Sequence, residues 1–483
     1  MLPNITFRTT SAALPPNLLD AVPAPDPLVW LRRGDGFVGW GEAARCETAG
    51  PRRFQAAEDW WRAVLARAAI EGPADRPGLG PLALGSFAFS PASAAPSVLV
   101  VPRVLVARYR GREWITTASA DGSDPREDSR LAPGREDAAF PPPRQPSGPV
   151  RAGGVDRSGP PAPAEHADHA LPPAPLPLLR VWQEGGRRRD RDALPPAPLP
   201  PLRESTGPVS AAAWPEVVRR AMALIAAGGI EKVVLARSVL ARALEGAIDP
   251  RPVLAFLADR YRDTWTFSVD GLIGATPELL IRSSRGLVTS RVLAGTIRRG
   301  DCDQANLARA AALARSSKDL EEHEFAVASV VAALEPFVEE LSVPDAPSVL
   351  HLPNVMHLAT DVVGELKRTR SGRAHGALEL AAALHPSAAV CGTPKAEAAQ
   401  VIGQLEGLDR GRYSGPVGWI DANGAGEWGI ALRCAELSAD RREARLWAGG
   451  GIVAASDPDA ELAETEAKLA PMRQALGLAP STP

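Results

Sequence analysis

Antiparallel β-sheets covered by helices are the fold class that this sequence predicts, and three observations predict it. Strand-like runs outnumber helical ones, several follow one another with only a turn between them, and 483 residues at 45% hydrophobic suffice for a large core. A doubly wound parallel sheet would need a helical crossover between successive strands, and the runs do not alternate that way.

In chain order, LVWLRRGDGFVGWGEAARC from Leu28 alternates as a hairpin does, FQAAEDWWRAVLARAAI from Phe54 carries helical spacing, and LALGSFAFS and SVLVVPRVLVARYRGREWITTAS read as strands. The composition changes near residue 121. Of the 64 positions between 141 and 204, 17 are proline, mixed with Arg, Gly and Ala. Such a stretch buries too little apolar surface to offset its ordering entropy, so a disordered insertion is expected over 121–206. Inside it ALPPAPLPLLR (170–180) recurs as ALPPAPLPPLR (193–203). Two proline-rich copies make no solenoid; a local duplication is the bland reading, and a polyproline ligand for a partner domain the sharper one.

Order is expected again over 207–478. WPEVVRRAMALIAAG has the 3.6-residue period and stops at Gly228–Gly229, as a helix C-cap would. KVVLARSVLAR, WTFSVDGLIGAT, ELLIRSS and GLVTSRVLAGTIRRG read as strands. A helix around 304–340, a mixed stretch to 400, strands near 416–436 and 444–453, and a final helix from Pro458 complete the chain.

The bulk properties exclude several functions. A formal net charge of −3 argues against a nucleic-acid surface. The four cysteines, Cys46, Cys302, Cys391 and Cys434, are scattered, which fits neither a disulfide framework nor a thiolate zinc site and suggests a reducing cytoplasm. The N-terminus lacks a signal-peptide pattern, and Pro102 and Arg103 interrupt SVLVVPRVLVAR, so no export and no membrane span are expected.

Chemistry concentrates in a few places. SSKDLEEHEFAVASVVAAL opens a helix with Ser316 and Asp319 at capping-box spacing, and Asp319, Glu322, His323 and Ala326 share one face. That pair of carboxylates suits a hard cation; it equally suits a solvated acidic first turn. A second pair lies in AGGGIVAASDPDAELAETEAKL, where Asp457 can cap, Pro458 fits the first helical position, and Glu461, Glu464, Thr465 and Lys468 line one face. Oxygen donors without cysteine point to magnesium rather than zinc. Gly449, Gly450 and Gly451, just before that helix, allow close approach of something to the backbone.

Lys232 opens a strand that otherwise reads as buried. A lysine there either snorkels to solvent or serves as a desolvated base, which needs its pKa lowered from about 10.4 by roughly three units, or about 4 kcal/mol. Glu278 in GATPELLIRSS, placed at a turn after Pro277, is the candidate acid partner, although turn glutamates are commonly just exposed.

With KVVLAR, GATPELL, AGTIRRG, SKDLEEH, MHLATDVVGEL, LHPSAAVCGTP, RGRYSGPVGW, IALRCAEL and AGGGIVAASDPDAELAETEAKL in this order, the chain resembles the chorismate-utilising enzymes, and among them the isochorismate synthases. GWGEAARC and LALGSFAFS resemble the family's N-terminal part; the proline-rich insertion has no counterpart. The resemblance implies a sandwich of two packed antiparallel sheets with helices outside, to which residues 1–120 contribute. It implies addition of water at C2 of chorismate with loss of the C4 hydroxyl, and Mg²⁺ holding the ring carboxylate. By position, Lys232 resembles the base that activates water and Glu278 the acid that protonates the leaving hydroxyl. Glu322 and Glu464 match direct metal ligands, with Asp319 and Glu461 as outer carboxylates. Arg433, Lys468, Tyr413 and the Gly449 amide match groups that hold the substrate's carboxylates, and Ala389 marks the carbonyl-side loop.

Lys232 and the wording HPSAAVCGTP favour water over ammonia as nucleophile. No glutamine amidotransferase partner is then required, and a cytoplasmic monomer is expected, feeding either menaquinone or siderophore synthesis. Salicylate synthases share the lysine and stay open as the alternative; aminating anthranilate-type enzymes fit less well. His323, His357 and His385 are read as structural rather than catalytic.

Overall fold

The computed structural model describes residues 3–120, 198–300, 302–368 and 375–478. Its strands form two antiparallel sheets that share one long strand, Ser97–Tyr109. One side of that strand pairs along its length with Asp35–Thr48, while the other pairs with Arg112–Ala120 at one end and Leu82–Ser86 at the other. From Asp35–Thr48 the first sheet continues through Leu28–Arg32, Trp265–Val269, Leu272–Thr276, Cys434–Leu437 and Glu443–Ile452 to Lys232–Ala243. From Leu82–Ser86 the second runs through Pro416–Asp421, Gly426–Ile430, Leu279–Ser284 and Leu287–Arg298 to Val355–Leu366. Ile5–Ser11 and Ala69–Glu71 make a parallel pair beyond Arg112–Ala120.

Alternation explains the layering. In Leu28–Arg32 the even side chains, Leu28 and Trp30, enter a core with Phe267, Leu84, Val417 and Trp419, contributed by both sheets. The odd ones, Val29 and Leu31, enter a second core with Leu254, Leu257, Leu469 and Met472 from the helices Pro250–Arg260 and Pro458–Ala475. A third core joins Ile281, Val288 and Val292 to helices Arg53–Leu65, Ser317–Leu334 and Ala377–Leu384. Because successive strand residues face opposite layers, a one-residue slip would exchange the two sets, so the register is strongly specified. The result is a two-sheet sandwich with helices outside, as the resemblance implies, and the N-terminal residues belong to the same compact unit as the C-terminal ones.

Three sequence expectations change. The helix expected over 304–340 is two, Asp303–Leu313 and Ser317–Leu334, because Ser316 takes an extended backbone and its hydroxyl accepts from the Asp319 amide. Leu202–Thr206 is a strand paired with Val239–Ala243, so the chain enters the sheet before residue 207, and the insertion expected over 121–206 has its last residues in the fold. Most of that insertion, 121–197, including the first proline-rich copy, lies outside the described residues. Ile5–Ser11, not read as an element, forms a strand whose Ile5, Phe7 and Thr9 are buried. No helix among the described residues is long and apolar enough to cross a membrane.

Candidate active site

Lys232 begins the strand Lys232–Ala243, and its side chain is completely buried. Nζ donates to the Glu322 carbonyl at 3.2 Å and stands 3.4 Å from Glu322 Oε1. Burial lowers its pKa, outweighing the opposing pull of Glu322. Glu278, at the turn into Leu279–Ser284, is buried as well, and desolvation pushes its carboxyl up to about 8 against the attraction of Lys232, Lys468 and Arg433. The two groups are each within electrostatic reach of the other, and burial favours the uncharged form of both.

Glu278 lines a cleft partly open to solvent, together with Glu322, Ala389, Tyr413, Arg433, Gly449 and Lys468. Lys232 does not line it; Glu322 and Gly451 do, and the amine lies behind them. A methyl group at Gly451 would stand 2.1 Å from Glu322 Oε1 and 3.0 Å from Lys232 Cε, so only glycine lets carboxylate and lysine abut this strand. At Gly450 a Cβ would crowd Glu461 Oε2 at 2.9 Å and meet Glu464 Oε1 at an ordinary contact distance of 3.9 Å.

Both acid pairs sit where the helical spacing places them. Asp457 caps Pro458–Ala475 by accepting from the Ala460 amide, which presents Glu461, Glu464 and Lys468 to the strand Glu443–Ile452. Lys468 is ion-paired with Glu464 and donates to the Gly449 carbonyl at 2.8 Å. Lys318, from the first turn of Ser317–Leu334, pairs with Glu461 at 2.8 Å and lies within electrostatic reach of Glu464 and Glu322. Burial raises Glu461 to about 7, helped by the adjacent Glu464 charge; burial also acts on Glu464, but Lys468 and Lys318 bring it below its ordinary value. Asp319 is raised by burial. Among the described residues no three acidic, His or Cys side chains stand close enough together to form a ready metal cage. The lysines hold the acids instead. The donor chemistry nonetheless suits a hard cation: Glu461 Oε2 is buried without a hydrogen-bond partner, and the buried Glu322 and Glu461 with the half-buried Glu464 border two adjacent glycines.

Arg433 has the left-handed backbone φ of 49° at the entry to Cys434–Leu437 and donates through Nη2 to His357 Nε2 at 3.0 Å. Since arginine only donates, Nε2 must accept, which leaves the imidazole proton on Nδ1, 3.1 Å from Thr296 Oγ1. Burial holds His357 well below its ordinary pKa, so it stays neutral. Tyr413 stacks on Trp447, with centroids 5.1 Å apart and planes 5° from parallel.

A family described as chorismate binding enzyme matches residues 28–131 and 181–477. The chain belongs to this family. An isochorismate synthase from Bacillus subtilis, DhbC, is 42% identical over 272 residues, 54% of this chain and 67% of that protein. The salicylate biosynthesis isochorismate synthase of Pseudomonas aeruginosa is 34% identical over 461 residues, 93% and 84% of the two chains. The structure of MenF, the menaquinone-specific isochorismate synthase of Escherichia coli, superposes with a TM-score of 0.67 over 98% of this chain and 95% of that one, at 22% identity, which establishes a common fold.

Within this chorismate-binding fold all eleven residues singled out from sequence fall in or beside one cleft, and seven of them line it, Glu278 included. Lys232, Asp319, Glu461 and Glu464 stand directly behind its wall. Sequence reasoning missed the part of His357, which lines the cleft and orients Arg433, and of Lys318, which neutralises Glu461. Lys318 was visible in SSKDLEEH as the lone cation among acids; nothing in the sequence pairs His357 with Arg433. His323 bonds Thr360 and Ala294, and His385 bonds the Phe89 carbonyl; neither lines the cleft.

Proposed function

We propose that this chain is an isochorismate synthase, converting chorismate to isochorismate with Mg²⁺. The observation that carries the reading is the pair Lys232 and Glu278, both buried, Glu278 lining the cleft and Lys232 directly behind its wall, and both driven toward their neutral forms. A neutral amine accepts a proton from water as its oxygen bonds to C2. Both conjugated ring double bonds shift, C1=C2 to C1=C6 and C5=C6 to C4=C5, the C4–O bond breaks, and the protonated Glu278 delivers its proton so that the C4 hydroxyl leaves as water. Burial achieves both assignments at once, since it opposes charge on base and acid alike.

Arg433 and Lys468, with Tyr413 and the Gly449 amide, suit the substrate's two carboxylates; His357 keeps the Arg433 fork from turning away. Glu322 and Glu464 would hold Mg²⁺, supported by Asp319 and Glu461, and the ion would neutralise the ring carboxylate. The Lys232 amine is anchored by the Glu322 backbone carbonyl, so the carboxylate of Glu322 can serve a cation without freeing the amine.

Chromatography of the products formed from chorismate and Mg²⁺ tests this. Isochorismate supports it. Salicylate with pyruvate would assign the chain to the salicylate synthases, and ammonia-dependent anthranilate would overturn water as the nucleophile.

A further inference from the structure

The strand that starts with Lys232 has an interrupted edge. Gly392–Thr393 pairs with its first residues, and the Val234 amide still donates to the Cys391 carbonyl at 2.8 Å. Leu202–Thr206 and the Gly207 amide take over only from Ser238 onward. Between them the Val234 carbonyl and the Ala236 amide face no strand. A buried ion pair fills the gap: Arg410 Nη2 donates to the Val234 carbonyl at 2.7 Å, and Glu406 Oε1 accepts from the Ala236 amide at 2.7 Å. Arg410 Nη1 also donates to the Val390 carbonyl at 2.9 Å, and its Nε to Glu406 Oε2 at 3.0 Å. Both side chains are essentially inaccessible to solvent. Val234 and Val390 line the cleft from opposite elements.

We propose that Glu406 and Arg410 are positioning residues that stand in for the missing strand and fix the Ala389–Val390 wall relative to the Lys232 strand. They touch neither substrate nor metal; they set the separation across which the chemistry occurs. A planar guanidinium with diverging N–H groups can satisfy two carbonyls and a carboxylate together, which a lysine ammonium on a flexible stem cannot do in the same geometry. Small displacements of reacting groups are expensive, with about 1 Å able to cost on the order of a hundredfold in rate.

The kinetic arm rests on the isochorismate-forming reading; the exchange arm does not. Arg410→Lys keeps the charge, and the paired Glu406→Leu/Arg410→Met removes both charges so that neither is stranded. In either variant that folds by circular dichroism, kcat for chorismate falls by at least about tenfold while KM stays within about threefold, because Arg433 and Lys468 lie on other elements. In the paired variant the Ala236 amide exchanges with deuterium at least about tenfold faster than in wild type. A folded variant with wild-type kcat, or unchanged exchange at Ala236, overturns the proposal. Wild-type protein inactive on chorismate would reject the functional reading alone, and the exchange comparison would still decide this one.

Discussion

Glu278→Gln separates a desolvated acid from an ordinary surface glutamate. In the folded protein burial holds this carboxyl protonated up to about pH 8, whereas the unfolded chain releases the proton near its ordinary 4.5. At about 1.36 kcal/mol per pH unit, that difference corresponds to roughly 5 kcal/mol. The sign follows from proton binding: between pH 4.5 and 8 the folded state holds a proton that the unfolded state has lost. The favourable contribution is therefore complete below pH 4.5, shrinks as pH rises, and is gone above about 8. Glutamine keeps the shape and never ionises, so the variant escapes this loss. Urea unfolding at pH 5 and pH 8 should show the stability of Glu278→Gln rising relative to wild type by roughly 1.4 kcal/mol per pH unit across that window. Turnover of the same variant should be at least about a hundredfold lower at every pH, and the wild-type kcat should decline above pH 8 as the acid ionises. Parallel stability–pH curves for the two proteins would refute a buried, protonated Glu278.

Lys232→Met fills the volume of the buried stem without an amine; it should cut turnover by at least about a hundredfold while leaving the denaturation midpoint equal to wild type or higher, as measured by assay and calorimetry. EDTA should abolish activity and added Mg²⁺ restore it, with Mg²⁺ also raising the melting temperature. Gly451→Ala forces a methyl into Glu322 and Lys232, so Mg²⁺ affinity by titration calorimetry should fall by at least about tenfold. His357→Leu frees the Arg433 guanidinium, and KM for chorismate should rise by about tenfold with a smaller change in kcat.

The parts of this site that could be read from sequence are the local ones. Capping by Ser316 and Asp457 was visible as spacing, and the helices begin where those side chains accept amide protons. Helical periodicity placed Glu464 beside Lys468, and the structure pairs them. The order of strands was legible, but their partners were not: Leu28–Arg32 lies beside Trp265–Val269, more than 200 positions away, through a ladder that no periodicity encodes. The same holds for His357 with Arg433 and for Arg410 with Val234. Ile5–Ser11 escaped because only seven residues alternate, with threonine and serine in place of strong apolar signals. The single helix expected over 304–340 failed for a local reason, since Ser316 both ends one periodic stretch and caps the next.

The strand Leu28–Arg32 has a practical consequence for anyone dissecting the gene. It is hydrogen-bonded on one flank to Asp35–Thr48 and on the other to Trp265–Val269, while Leu82–Ser86 does likewise for Pro416–Asp421. A fragment starting near residue 207 would carry every chemically active side chain yet expose three unsatisfied backbone rows, on Trp265–Val269, Pro416–Asp421 and the end of Lys232–Ala243, and the indoles of Trp265 and Trp419, surfaces prone to self-association. Such a truncation should precipitate rather than work, and the first hundred residues should be supplied, in cis or as a co-expressed piece, for the remainder to stay in solution.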